Sequence, residues 1–322
     1  MGLTRMTPRR SARSGAAISA VLAVVVLTLP DTVVAETDWL RFPKREAKET
    51  VRESVYNYLI ISRDGPVVRF RRLENGATVS AIDLSHPTRQ VVPYTAALFA
   101  AALVKPDPRG VLNIGLGAGA FDRLFVAGFP EARLTTVEID QMILEAAKTF
   151  TAFQETEHSS VAIGDGRRYL QRHGESWDWV VLDAYVRNSQ VPAHLTTMEF
   201  YKVVADRLSE RGVFVVNLHS GSALFQSNVK TLAAAFPQVV FLQVPDSGNV
   251  IGVAVKFRDR DLMQLITSAT IAELPATVTS EVDFAALKPN FRRAGDMPLR
   301  RNTRLLTDDF APVEFLDLQP ER

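Results

Sequence analysis

The chain contains no cysteine. Disulfides, thiolate metal sites and cysteine nucleophiles are therefore excluded, while a chain without thiols fits either redox environment. Neither sign of charge dominates: 37 Lys and Arg stand against 36 Asp and Glu in 322 residues, a formal net charge of +1. A nucleic-acid partner thus has no electrostatic support. With five histidines and no cysteine, no zinc-type ligand cluster can be read either. Long apolar runs are also missing. The longest, residues 16–29, covers about 14 positions, short of the roughly 17 to 25 that cross a bilayer as a helix. What remains is ordinary globular composition, 47% hydrophobic and 23% charged, long enough for one large domain and a small one.

That short apolar run is informative by its position. Arg5, Arg9, Arg10 and Arg13 precede it, and Pro30 and Val33-Val34-Ala35 follow. Basic, apolar and small-residue regions in that order form a secretory signal with a cut after Ala35. Residues 1–35 are accordingly expected to be a signal peptide or an uncleaved N-terminal anchor. The mature chain is then exported, periplasmic or secreted, with membrane contact only if the segment stays attached.

Residues 111–140 combine a short apolar run, a glycine-rich turn, a helical segment and a second apolar run closed by an acid. This is a β-α-β unit suited to a nucleoside. Gly115, Gly117 and Gly119 sit where a strand turns sharply into a helix, and residues without Cβ let the backbone approach a ligand. Glu138 ends the second strand, where a carboxylate accepts hydrogen bonds from both hydroxyls of a ribose. Gly115-x-Gly117-x-x-Ala120 also meets the dinucleotide pattern, so the turn alone does not separate NAD from an S-adenosyl compound.

Around this unit the chain divides as follows. Residues 36–53 are polar and read as a linker or short surface helix. Residues 54–92 hold β-rich runs broken by Asp64-Gly65-Pro66 and Glu74-Asn75-Gly76, a small antiparallel β region. Arg69 and Arg71 flank Phe70 at strand spacing and read as a solvated face. Residues 93–273 alternate helix and strand: helices at 93–104, 141–150, 167–172, 197–208 and 259–273, strands at 160–163, 177–182 and 212–217. Such alternation implies a mostly parallel sheet covered on both faces. Runs at 239–244 and 250–257 joined by Pro245-Asp246-Ser247-Gly248-Asn249 make an antiparallel hairpin. The fold class is therefore α/β, a Rossmann-like, S-adenosylmethionine methyltransferase-type sheet. Residues 274–322 form a C-terminal extension, irregular to Met297.

In open α/β sheets the ligand lies beyond the carboxyl ends of the strands. Four such ends carry glycines or acids: 115–119, Glu138, Gly164-Asp165-Gly166 and Asp183. Asp165 alone reads equally well as the cap of the following helix. Asp183 closes the apolar run Trp179-Val180-Val181-Leu182, where a partly desolvated carboxylate accepts a proton from an attacking amine. His194 and His219 follow strands and are weaker candidates for a base or substrate contact.

These blocks, with Met198-Glu199-Phe200-Tyr201 and the tail at 305–314, resemble the spermidine synthase (polyamine aminopropyltransferase) family over roughly residues 54–257. The resemblance implies transfer of an aminopropyl group from decarboxylated S-adenosylmethionine, a co-substrate rather than a bound cofactor, to a small-molecule amine, and a homodimer or larger assembly. It gives Glu138 to the ribose, Asp165 and Gly166 to the adenine, and proton acceptance to Asp183. Tyr56, Asn57, Tyr94, Tyr185 and His194 fall to the acceptor pocket. The chain departs from the family where an acid of the glycine turn is replaced by Ala118 and a second acid by Val186. Asn57 stands near a glutamine position, and Thr95-Ala96 replace a histidine and a glutamate. Loss of these acids removes the groups that would hold a diamine. A methyltransferase on the same scaffold and a non-catalytic nucleoside-binding protein are the alternative readings.

Overall fold

The computed structural model describes residues 48–73, 76–185 and 191–310, all within one compact unit. The expected signal, the Glu74-Asn75 turn and the Val186 position lie outside the described residues.

The chain begins with a four-stranded antiparallel sheet, β1 (Lys48–Glu53), β2 (Tyr58–Asp64), β3 (Val67–Arg72) and β4 (Thr78–Asp83), paired in that order. β1 falls inside the stretch read as a linker or surface helix. Its sequence, KETVRE, carries one apolar residue, and ladder bonds to β2 rather than burial hold it. In β3 the burial alternates strictly, so that Val68, Phe70 and Arg72 face inward while Arg69 and Arg71 face out.

Helix α1 (Pro93–Ala97) starts with proline at its first turn and tightens into a 3-10 segment, Leu98–Leu103. The larger domain then unfolds as β5 (Gly110–Ile114), α2 (Ala120–Gly128), β6 (Arg133–Glu138), α3 (Gln141–Thr151), β7 (Ser159–Ile163), α4 (Gly166–Arg172), β8 (Trp177–Leu182), α5 (Met198–Arg207), β9 (Leu208–His219), α6 (Phe225–Ala235), β10 (Gln238–Gln243), β11 (Asn249–Val255), α7 (Leu262–Ser268), α8 (Ala276–Thr279), α9 (Phe284–Leu287) and β12 (Phe291–Arg293). Spatially the strands run β12-β10-β11-β9-β8-β5-β6-β7. β7, β6, β5, β8 and β9 are mutually parallel, whereas β11 is antiparallel to both β9 and β10. The order reverses between β5 and β8, which opens a crevice at their carboxyl ends.

Both faces of this sheet are covered, as the unbroken apolar runs demand. One face packs Phe99, Phe121, Phe125 and Phe129 around Trp179, with Trp179 edge-on to three of those rings. The other gathers Leu112, Leu182, Phe200, Tyr201, Phe214 and Phe236. A third cluster joins the small sheet to the large domain: Leu59, Ile61, Val68, Phe70 and Ile82 pack on Leu116, Ile143, Ala147 and Phe150. At about 1.5 to 3 kcal/mol for each large apolar side chain buried, this contact fixes the small sheet over the glycine turn.

Four elements differ from expectation besides β1. α6 is amphipathic, with Val229, Thr231 and Leu232 buried, but its polar start hides it. Within the irregular 274–297 stretch, β12 pairs with β10 through three residues, Phe291 to Arg293, and two one-turn helices precede it.

Candidate active site

One cavity of about 360 Å³ lies where the small sheet meets the carboxyl ends of β5, β6, β7 and β8. Among its lining residues are Gly115, Gly117, Glu138, Asp165, Gly166 and Asp183, and also Asn57, Tyr94, Tyr185, His194 and His219. Tyr56 is not brought there. It sits in the β1–β2 turn, 37% exposed. Gly119 lies one turn behind the cavity as the left-handed residue ahead of α2, with the Phe153 ring where a Cβ would point.

The turn after β5 has a steric cause. Gly115 has φ of 104°, and a Cβ there would stand 2.3 Å from the Asp183 carbonyl oxygen. Glycine alone permits both the conformation and the approach of β5 to β8. This brings the glycine turn against the backbone of Asp183. From the far side, Ser80 Oγ of β4 accepts the Ala118 N–H at 3.0 Å.

Glu138 is held rigidly. Its two oxygens accept from the Leu116 N–H and the Asp140 N–H, each at 2.9 Å. Burial pushes its carboxyl up to about 7, opposed by those two amides. Asp140 next to it caps α3 through the Met142 N–H and accepts from Ser54 Oγ and Asn57 Nδ2, at 2.5 and 2.7 Å. The Asn57 amide is thus engaged in tying the β1–β2 turn to the large domain.

Asp165 serves two partners at once. Oδ1 accepts the Arg168 N–H at 2.8 Å, capping α4, and Oδ2 meets His194 Nε2 at 2.6 Å. The His194 bond is the main cause that holds this carboxyl below its ordinary value. Arg167 beside it donates to the His194 carbonyl and forms a two-pronged pair with Asp308. The C-terminal extension thereby anchors the loop carrying His194.

Asp183 lies at the cavity floor. Its N–H donates to the Ile114 carbonyl, and Asn217 Nδ2 donates to Oδ1 at 2.8 Å. Burial pushes the carboxyl up to about 7; the Asn217 and Tyr94 side chains pull it down, and Glu138 adds a smaller push upward. Tyr94 Oη donates to the Val79 carbonyl at 2.6 Å, and Tyr185 Oη to the Asn217 carbonyl at 2.9 Å. Both phenols stay neutral, held above their ordinary values first by burial. His219 Nδ1 accepts the Gly221 N–H, which leaves its proton on Nε2, and burial lowers its basicity.

Four lining residues escape a reading from the sequence. Asn217 lies two residues before the end of β9 and was within reach of the strand-end rule, but an amide is a weaker signal than an acid. Asn249 donates to Asn217 Oδ1 at 2.9 Å across the β9–β11 pairing, which no local pattern reveals. Ser80 and Arg72 arrive from the small sheet; for Arg72 the signal is its alternation with Val68 and Phe70.

A parallel sheet closed by an antiparallel strand between β9 and β10, with a glycine turn after β5 and carboxylates at the ends of β6 and β8 around one crevice, defines the Rossmann-like, methyltransferase-type class. Within it, the spermine/spermidine synthase domain model matches residues 94–251. The chain is similar to the polyamine aminopropyltransferase of Chromobacterium violaceum, 30% identical over 61% of this chain and 75% of that protein. It is similar also to that of Vibrio vulnificus, 28% identical over 76% of this chain and 82% of that one. In fold it resembles a probable spermidine synthase from Corynebacterium glutamicum, with a TM-score of 0.61, 18% identity, and coverage of 79% of this chain and 96% of that one. The chain belongs to the spermine/spermidine synthase (polyamine aminopropyltransferase) family.

Proposed function

We propose that the protein is a transferase that moves an aminopropyl group from decarboxylated S-adenosylmethionine, used as a co-substrate, to an amine. The carrying observation is the Asp183 carboxyl, raised to about 7 and held by Asn217 in the same cavity as the glycine turn and Glu138. In this reading Gly115 and Gly117 form the bed of the nucleoside, with Gly119 shaping the turn into α2 behind them, Glu138 accepts from the ribose hydroxyls, and Asp165 with Gly166 borders the adenine. The acceptor nitrogen attacks the carbon bonded to the sulfonium. An N–C bond forms, the C–S bond breaks with its electron pair going to sulfur, and neutral methylthioadenosine leaves. The proton released by the new ammonium passes to Asp183. Tyr94 and Tyr185 shape the acceptor end, and His194 acts through Asp165.

The test is incubation of purified protein with the decarboxylated donor and an amine panel, read by mass spectrometry. Alkylated amine together with methylthioadenosine supports the reading; neither product, with donor intact, refutes it. Methyl transfer is the second reading, favoured by Ala118 in place of an acid of the glycine turn. It requires tighter binding of S-adenosylmethionine than of its decarboxylated form. The N-terminal arginines and apolar run support export, periplasmic or secreted or retained by an anchor, and domain boundaries near residues 35, 92 and 273 follow from the composition. The family resemblance supports a homodimer or larger assembly.

A further inference from the structure

The hydrogen bond that Asp183 receives from Asn217 is the last link of a chain. Asn217, buried in β9, donates through Nδ2 to Asp183 Oδ1 at 2.8 Å and accepts at Oδ1 from Asn249 Nδ2 at 2.9 Å. Asn249 opens β11, pairs with His219 in the β9–β11 ladder and reaches Asn217 diagonally across it. Its own Oδ1 accepts from Ser247 Oγ at 2.6 Å, and that hydroxyl accepts the Asn249 N–H in turn. Ser247 lies in the turn between β10 and β11, where Gln243 Nε2 donates to its carbonyl at 3.1 Å. Asp183, Asn217, Ser247 and Asn249 all line the cavity.

Chemistry sets the direction of this chain. An ionised carboxylate only accepts, so Asn217 must offer it the NH2 end of its amide. The Asn217 oxygen is thereby turned to Asn249, which must donate, and the Asn249 oxygen to Ser247, which must donate as well. A rotated Asn217 would present its oxygen to Asp183 and suit the protonated acid instead, but with Asn249 in place that rotation sets two NH2 groups against each other. The chain therefore favours the ionised carboxyl and opposes the effect of burial. Tyr94 also bears on this carboxyl, yet its one proton goes to the Val79 carbonyl. We infer that Asn249, backed by Ser247, is a positioning residue: it locks the Asn217 amide and so keeps Asp183 ready to accept a proton. This rests on the transfer reading above, in which Asp183 takes the proton of the attacking amine.

The test is a double-mutant cycle read in the pH dependence of kcat/KM, with decarboxylated donor and the best acceptor of the amine panel. The other charged and titratable groups around Asp183 are Glu138 on β6, Tyr94 on α1, Tyr185 after β8, Arg72 on β3 and His219 on β9, and they are the same in every variant. Asn249→Ala should move the rising limb upward by about one pH unit. In an Asn217→Ala background the same substitution should move it no further, because the amide it acts on is gone. Ser247→Ala, one link farther away and outside any strand, should give a smaller shift in the same direction, and it carries the test if Asn249→Ala does not fold. A limb that stays in place, whatever happens to the rate, or an equal shift with and without Asn217, overturns the inference. Titration of the Asp183 carboxyl carbon by NMR in the ligand-free protein makes the same comparison without turnover. A shifted titration with no product removes the transfer reading and leaves the coupling standing; product with an unshifted titration keeps transfer and overturns the coupling.

Discussion

In the proposed reading, Asp183 concentrates the chemistry in one carboxyl whose burial works for it. A base with a value near 7 is ionised in part at neutral pH yet basic enough to take a proton from a forming ammonium. Replacing it by Asn keeps the shape and the contact with Asn217 but removes the acceptor. Asp183→Asn is expected to lower kcat by about a hundredfold or more while the affinity for the donor, measured by calorimetry, changes little. The pH dependence follows from the same carboxyl. Below about 7 it is protonated and cannot accept, so kcat/KM should climb as pH rises through that value. Stability should run the other way. A carboxyl whose folded value lies above its unfolded one binds more protons when folded, so its contribution is full near pH 4 and lost as pH rises through about 7. Glu138, also near 7, and buried Asp122, raised to about 6, act in the same direction. In the ligand-free protein, the difference in Tm between pH 5.5 and pH 8 should therefore shrink in Asp183→Asn; an unaltered difference would show that this carboxyl does not titrate as described.

At the scale of elements, the turn from β5 into α2 carries the site. It needs glycine for two independent reasons, a positive φ and the proximity of the Asp183 carbonyl. Gly115→Ala is expected to cost upwards of about 2 kcal/mol in unfolding free energy, since β5 and β8 must separate to admit the methyl group. Because that movement displaces Asp183, activity should fall further than stability alone explains, as chemical denaturation and initial rates on the same preparation will show. The turn was legible because glycines, apolar run and terminal acid lie within one short stretch of sequence. β1 was not, since KETVRE is a polar edge strand whose stability comes from pairing with β2. β12 was hidden for the same reason: Phe291, Arg292 and Arg293 carry no strand pattern and are ordered by β10. In α6 a polar first turn masks the buried face.

The molecule as a whole is a mostly parallel sheet with a small antiparallel sheet laid over the carboxyl ends of its strands. The set Gly115, Gly117, Glu138, Asp165 and Asp183 was readable in sequence because each lies at or just past the end of a strand of one domain, and the fold gathers them around one cavity. The rest of the cavity lining was less so, because it is assembled from both sheets. Arg72 and Ser80 come from the small one, Asn217 and Asn249 from two strands that meet only in the fold, and Tyr56, adjacent to Asn57 in the chain, faces away. In the proposed reading this joint cavity performs a displacement at the sulfonium carbon with Asp183 as proton acceptor. A single-turnover experiment, with enzyme in excess over decarboxylated donor and saturating acceptor, measures it most directly. Wild type should form methylthioadenosine and alkylated amine in equal amounts, and Asp183→Asn should form both at least about a hundredfold more slowly. Methylthioadenosine without alkylated amine, or equal rates in the two proteins, would contradict the account.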